Sequence, residues 1–208
     1  MSWVQIQSVE PPLNRREVAA PLAAAIRHAD AMGLLPKQIS PVARLDLERL
    51  VTLLAPVSNA GIARQPIADL AREMASPRRL ADLLELVDEA LVESPFPPKE
   101  WTRCADVLGS PVLSRLLGIS ESSLRRYQAS RRETPDDVAN RLHFLALVVS
   151  DLAGAYNDLG VRGWFDRPRP QLDNKTPGAL LRGAWNPGDP GPSRVRELAE
   201  SLTASPAT

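Results

Sequence analysis

The sequence predicts an all-α protein, and two observations carry that prediction. Apolar residues recur three and four positions apart over most of the 208 residues, the spacing that lines one face of a helix. Ser, Thr or Asn residues followed by proline or an acid precede these runs, as they do at helix starts. Trp3–Val9, ahead of the first helix, is the one segment that reads as a short strand.

Four helices are predicted in the N-terminal region, residues 1–95. Each is identified by a capping residue or by a proline in its first turn. Their starts are Asn14 with Glu17 as a capping box, Ser40–Pro41, Pro66, and Ser76–Pro77. The first helix is predicted from about Arg15 to Met32, stopping near Gly33 and Pro36. The apolar positions of the other three are Leu45, Leu50 and Leu54, then Ile67, Leu70 and Met74, then Leu80, Leu83, Leu84, Val87 and Leu91.

The fourth helix has an acidic outer side, and a proline-rich segment follows it. The acids are Asp82, Glu85, Asp88, Glu89 and Glu93. They form either a solvated face or a surface for a partner. The segment Ser94–Lys99, SPFPPK, is a stiff break and marks a domain boundary. The region before it is expected to dimerise or to act as an accessory domain.

Charge and cysteine content limit the classes of function. The formal net charge is zero, so nucleic-acid binding requires a local basic patch. Cys104 is the single cysteine, which excludes a disulfide framework and a cysteine metal site. The N-terminus has no signal-peptide pattern, and no apolar run approaches the roughly 18 residues of a membrane span. A cytoplasmic protein with no membrane association is expected.

The segment Ser110–Arg132 has the pattern of a helix-turn-helix motif. Gly118 stands at the turn, where a residue must tolerate positive φ, and Ser120 is the natural N-cap of the second helix. Five arginines and one acid, Glu121, between Leu113 and Arg132 give a local net charge of +4. This pattern favours a second helix that lies in the major groove of DNA.

Each outward residue of the second helix has a predicted role. Ser122 and Ser123 meet a phosphate or a base edge, while Arg125, Arg126 and Gln128 reach bases. Arg131 and Arg132 grip phosphate. The predicted DNA-binding residues are Ser120, Ser122, Ser123, Arg125, Arg126, Gln128, Arg131 and Arg132. One such motif binds weakly, so specific recognition requires a homodimer on two half-sites.

A long helix and a turn-rich segment complete the chain. Thr134–Asp137 caps the long helix, whose apolar stripe is Val138, Leu142, Leu145, Val149 and Leu152, reaching toward Leu159. Two short helices, 176–182 and 193–202, follow among Gly and Pro turns. The predicted domains are therefore 1–95, 99–158 with the helix-turn-helix, and 159–208.

The sequence contains no recognisable catalytic motif. His28 and His143 are far apart, and His143 lies near the apolar stripe, where a packed side chain is expected. Cys104 with a histidine would make a nucleophile pair only with a local signature, which is missing. No GxGxxG, Walker or HExxH pattern is present. No catalytic residue, metal site or cofactor is predicted.

The C-terminal segment carries a motif that resembles a known family. Its residues are Gly163, Trp164, Phe165, Pro168, Leu172, Thr176, Pro177, Leu180 and Leu181. Following a helix-turn-helix and a long helix, this motif resembles antitoxins with an Xre/MbcA/ParS toxin-binding domain. The resemblance covers roughly residues 110–202.

The resemblance implies a dimeric antitoxin that neutralises a cognate toxin, typically of the NAD-degrading RES type, and represses its own operon by binding operator DNA. It implies a toxin-binding set of Trp164, Phe165, Leu172, Thr176, Pro177, Leu181, Arg194 and Arg196. Two features depart from the family. Asp173–Lys175 replaces a glycine-containing turn, which Asn174 can preserve because asparagine tolerates the left-handed conformation. The N-terminal region of about 95 residues is extra.

Two other functions stay open. One is a stand-alone transcription regulator whose N-terminal region senses a ligand or forms oligomers. The other is an interaction adaptor that has lost DNA binding. The gene next to this one discriminates the antitoxin from the regulator.

Overall fold

The computed structural model describes residues 4–36, 41–72 and 76–204, with side chains up to Leu202. The chain divides into two compact units between Ser94 and Pro95. The regular elements of the described residues are α-helices and one 3₁₀ turn, which confirms the all-α prediction. Among these residues, no helix combines the length and apolar character needed to cross a membrane.

The first unit contains α1 (Arg16–Ala31), α2 (Leu47–Asn59), α3 (Arg64–Leu70) and α4 (Pro77–Glu93). α1 and α4 form its main helix pair, and His28 Nδ1 lies 2.7 Å from Asp88 Oδ1 across it. The side-chain oxygen of Ser76 accepts from the Arg79 amide, confirming the predicted cap of α4. The acid Asp88 is therefore drawn toward α1, while Asp82, Glu85, Glu89 and Glu93 face solvent.

One predicted helix start in this unit is wrong, and at a second helix the start is right but the predicted capping box does not form. α2 begins at Leu47, capped by Asp46, and not at Ser40–Pro41. The reason is tertiary, because the backbone of Val42 and Leu45 pairs with residues 5–10. α1 begins after Arg15 without a side-chain cap, so the Asn14–Glu17 capping box does not form. Ser40 and Met74 lie outside the described residues.

The predicted strand Trp3–Val9 is reduced to two isolated parallel bridges. Ile6 pairs with Val42, and Val9 pairs with Leu45. Trp3 lies outside the described residues. A strand needs a continuous ladder of backbone hydrogen bonds. Here the pairing holds the segment before α2 in an extended form.

The second unit contains α5 (Pro97–Leu108), α6 (Ser110–Leu117), α7 (Glu121–Gln128), α8 (Asp136–Ala153), α9 (Asp158–Trp164), a 3₁₀ turn (Pro170–Leu172), α10 (Pro177–Leu180) and α11 (Pro190–Ala204). α8 is its central helix, with α5, α6, α9 and α11 packed on it. It is buried on nearly all sides, including polar Arg141, His143 and Asp151. The sequence predicted one apolar stripe because it could not reveal how many helices surround α8.

Two details of α8 differ from the prediction. Thr134 does not cap it, because the Thr134 hydroxyl accepts a hydrogen bond from Trp101 Nε1 at 2.9 Å. The helix ends at Ala153 and does not reach Leu159, which belongs to α9. Asn157 caps α9 by accepting from the Gly160 amide at 2.9 Å. The helix α9 was not predicted from the sequence, since glycines interrupt its apolar pattern.

Candidate nucleic-acid interface

The segment 110–132 forms two helices joined by a tight turn. α6 ends at Gly118, whose φ of 68° is left-handed, as predicted. The Ser120 hydroxyl accepts a hydrogen bond from the Ser123 amide at 3.1 Å and caps α7, also as predicted. Glycine at the turn avoids the steric cost of a Cβ in this conformation. The motif is therefore defined by local chemistry at its turn and at its cap.

The inner side of α7 is anchored in the second unit. Leu124 is fully buried, and the Tyr127 ring stacks on Trp101 with centroids 5.5 Å apart. The α6 leucines Leu113, Leu116 and Leu117 are also fully buried. These contacts fix the rotation of α7, so its opposite side must face outward.

The outer side of α7 and the turn after it carry four exposed arginines: Arg125, Arg126, Arg131 and Arg132. Arg125 lies 3.9 Å from Glu121, and its side chain is 69% exposed. Arg126 Nε donates to the Ser122 carbonyl at 3.3 Å, and the Arg132 guanidinium lies 5.7 Å from the Tyr127 ring centre. An ion pair this exposed is weak, so these charges remain available to an anionic partner.

The remaining predicted DNA-binding residues make side-chain hydrogen bonds within the protein. The Ser120 hydroxyl lies 2.9 Å from that of Ser122 and 3.0 Å from that of Ser123. Ser122 is exposed and Ser123 is half-buried. Gln128 is half-buried, and its Nε2 donates to the Trp101 carbonyl at 3.3 Å. Gln128 therefore lies at the edge of the arginine face, with one of its donors used inside the protein.

Most of the residues predicted to bind a toxin lie in the core. Trp164, Phe165 and Leu181 are 0% exposed, Leu172 is 1% exposed and Pro177 is buried. The rings of Trp164 and Phe165 meet edge to face at 5.2 Å. Thr176 caps α10 by accepting from the Ala179 amide at 3.1 Å. Side chains so enclosed stabilise this unit and offer no surface to a partner in this conformation.

The two α11 arginines in that set are engaged within the chain. Arg194 donates to Asp173 Oδ2 and to the Gln171 carbonyl, both at 2.8 Å. The Arg194 hydrogen bond holds the pKa of Asp173 below its ordinary value, and Asp173 raises the pKa of Arg194. Arg196 Nε lies 3.0 Å from Asp151 on α8 and 2.7 Å from Glu200. The contacts of Arg194 with Asp173 and Gln171, and of Arg196 with Asp151, hold α11 to the rest of the unit, whereas the Arg196–Glu200 pair lies within α11.

The turn between Leu172 and Thr176 forms as the sequence predicts. Asn174 has φ 58°, and Asp173 before it has φ 56°. Asparagine and aspartate visit the left-handed region more readily than most residues. The turn therefore forms without a glycine at residues 173–175.

Several residues that join the C-terminal segment to the helix-turn-helix were missed. Trp185 is 5% exposed, and its Nε1 donates to the Leu116 carbonyl at 2.9 Å. Arg115 on α6 makes a two-pronged ion pair with Asp166, at 2.7 and 3.1 Å. Trp185 stands in a Gly/Pro-rich stretch of the sequence, and a tryptophan there could have indicated a buried contact. These contacts pack segment 159–202 onto segment 99–158 within one compact unit.

The residues weighed for catalysis lie in closed surroundings. Cys104 is fully buried, and burial raises the pKa of its thiol, so the nucleophilic thiolate does not form at neutral pH. His143 Nδ1 lies 2.6 Å from Glu100 Oε1, and both side chains are buried. Within the described ranges, no three His, Cys, Asp or Glu residues are grouped to hold a metal ion.

Comparison with protein-family models, with curated proteins and with solved structures gave no match to this chain.

Proposed function

We propose that this protein binds DNA through the outer face of α7 and acts as the antitoxin of a toxin–antitoxin pair. The observation that supports DNA binding is the set of exposed arginines on α7 and directly after it, with the inner face of α7 fixed by Leu124 and Tyr127. In the proposed complex Arg125 and Arg126 reach base edges, where arginine pairs with guanine through two donors. Arg131 and Arg132 supply sequence-independent phosphate contacts.

The decisive experiment is a gel shift with DNA from the gene's own upstream region. The double variant Arg125→Ala plus Arg126→Ala should abolish the shift while leaving the circular dichroism spectrum unchanged. A matched control is Arg78→Ala plus Arg79→Ala, an adjacent arginine pair at the start of α4 in the other unit. If the α7 double variant binds as tightly as the control, α7 is not the recognition helix.

The antitoxin role is supported by the resemblance of residues 163–181 to the toxin-binding motif. Its mechanism would be stoichiometric, with this chain covering the active site of a toxin and repressing the shared promoter. A tagged pull-down from the native host tests it. A near-stoichiometric small partner that is toxic alone, and harmless when this chain is co-expressed, is the expected result. A chain that retains promoter DNA but has no such partner contradicts the role.

One observation favours a second candidate, a stand-alone regulator with a ligand-sensing N-terminal unit. A groove of about 460 Å³ opens in the first unit. Its lining includes Pro36, Val42, Leu45, Asp46, Arg49 and Leu53. Small-molecule sites have volumes of about 300–1,000 Å³ and mix apolar walls with a few polar groups. Promoter binding without a protein partner, and changed by a small metabolite, would favour this candidate.

A further inference from the structure

The loop 182–184 is fixed against the turn of the helix-turn-helix. A Cβ on Gly118 would lie only 2.5 Å from the Gly183 carbonyl oxygen, so the two backbones touch. On one side Trp185 Nε1 donates to the Leu116 carbonyl at 2.9 Å. On the other, Arg141 Nη1 donates to the Gly183 carbonyl at 3.2 Å. The loop therefore has a defined position beside α7, although it lies some 60 residues away in sequence.

Arg182 in this loop carries a positive charge that is not paired with any of the described residues. Its side chain is exposed, and it makes no hydrogen bond or ion pair with the described residues. Asp137, an acid brought near the loop through Arg141, is itself paired with Arg141. The Arg182 charge is therefore not cancelled by that acid.

The loop is also close to the start of α7. Ser120 is two residues from Gly118, so their Cα atoms are at most about 7 Å apart. Arg182 is the immediate neighbour of Gly183, with Cα atoms about 3.8 Å apart. Arg182 therefore starts near the N-terminal end of α7, the helix that faces DNA in the proposed complex.

We propose that Arg182 contacts a DNA phosphate and that the DNA interface is composite, formed by α7 and loop 182–184. Guanidinium groups bind phosphate through two parallel hydrogen bonds. Such a contact fixes the position of α7 in the groove and carries no sequence information. This inference rests on the proposed function, because it needs DNA at α7.

The test compares Arg182→Ala with Arg16→Ala, which removes one exposed positive charge from the first unit. Binding of labelled promoter DNA and of a scrambled duplex is measured by fluorescence anisotropy at several salt concentrations. Arg182→Ala should weaken both complexes by a similar factor, about three- to tenfold, and lower the salt slope by about one. Arg16→Ala should match the wild type.

The variant Arg182→Lys provides a second measurement. It retains the charge and should restore the full salt slope, but it should recover only part of the affinity, because an ammonium group cannot make the two parallel hydrogen bonds. If the wild type binds the DNA but Arg182→Ala matches it in affinity and slope, the composite interface is wrong and the proposed function stands. If the wild type binds no promoter DNA, the proposed function fails and this inference fails with it.

Discussion

The two segments that the sequence marks for binding, 120–132 and 163–181, differ in what the fold leaves exposed. Arg125 and Arg126 of the first are exposed on the outer side of α7. Trp164, Phe165 and Leu181 of the second are 0% exposed. Large apolar side chains are buried because removing them from water stabilises the fold. The large apolar residues of segment 163–181 therefore form part of the core of this unit. They do not show which atoms would contact a partner.

A partner of segment 163–181 would have to use the residues between the buried ones. The exposed residues there include Asp166, Arg167, Gln171, Asn174 and Lys175. They are polar and lie in turns, whereas the α7 arginines share one regular face. The difference predicts that substitutions in the two segments separate cleanly into effects on folding and effects on binding.

The largest effect is expected for Trp164→Ala. This substitution should lower the free energy of unfolding by about 3–5 kcal/mol, since the indole is fully enclosed. Denaturant unfolding of the purified protein measures it. Leu159→Ala, at a leucine that is 76% exposed on the same helix, is the control and should change stability by at most about 0.5 kcal/mol. Equal stability of the two variants would mean that the Trp164 side chain is not enclosed in the core. The contrast between segments 120–132 and 163–181 would then be wrong.

A smaller loss is expected for Gly118→Ala. Left-handed backbone costs a non-glycine residue about 1–2 kcal/mol, and here the new Cβ also meets the Gly183 carbonyl. Gly183→Ala is a matched control, because its φ of 70° is similar but no atom lies within 4 Å of the new Cβ. Thermal unfolding should place Gly118→Ala below Gly183→Ala. The reverse order would mean that the turn and the loop do not touch.

The helix caps give a paired test of the two segments. Ser120→Ala and Thr176→Ala each remove a side-chain cap, and each should cost about 1 kcal/mol of stability. Only Ser120→Ala should also weaken promoter binding, because α7 faces DNA in the proposed complex and α10 does not. Unfolding curves and anisotropy on the same preparations separate the two effects. Equal losses of DNA affinity would extend the DNA interface to α10.

The smallest effect on stability is expected for Arg125→Ala plus Arg126→Ala. Both side chains are exposed, and the Arg125–Glu121 pair is long, at 3.9 Å. The change in unfolding free energy should stay within about 0.5 kcal/mol. Denaturant unfolding beside the gel shift checks that lost DNA binding is not lost folding. A large destabilisation would show that these arginines support the fold.

Local chemistry was predicted well where no distant residue competes for the same groups. Ser76, Ser120 and Thr176 cap their helices, and Gly118 and Asn174 take left-handed conformations, as the sequence indicated. The predictions at Pro41 and Thr134 were wrong because distant partners engage those segments. Residues 5–10 pair with the backbone at Val42, and Trp101 takes the Thr134 hydroxyl.

The sequence by itself determined the helical class, the helix-turn-helix with its cap and turn, and the basic excess of residues 113–132. These follow from spacing and side-chain type over a few residues. The tertiary structure alone decided which motif residues are buried, how α8 is surrounded, and that Gly183 lies against Gly118. Those features depend on contacts across 40 to 70 residues, such as Trp185 with Leu116, and short-range patterns carry no information about them.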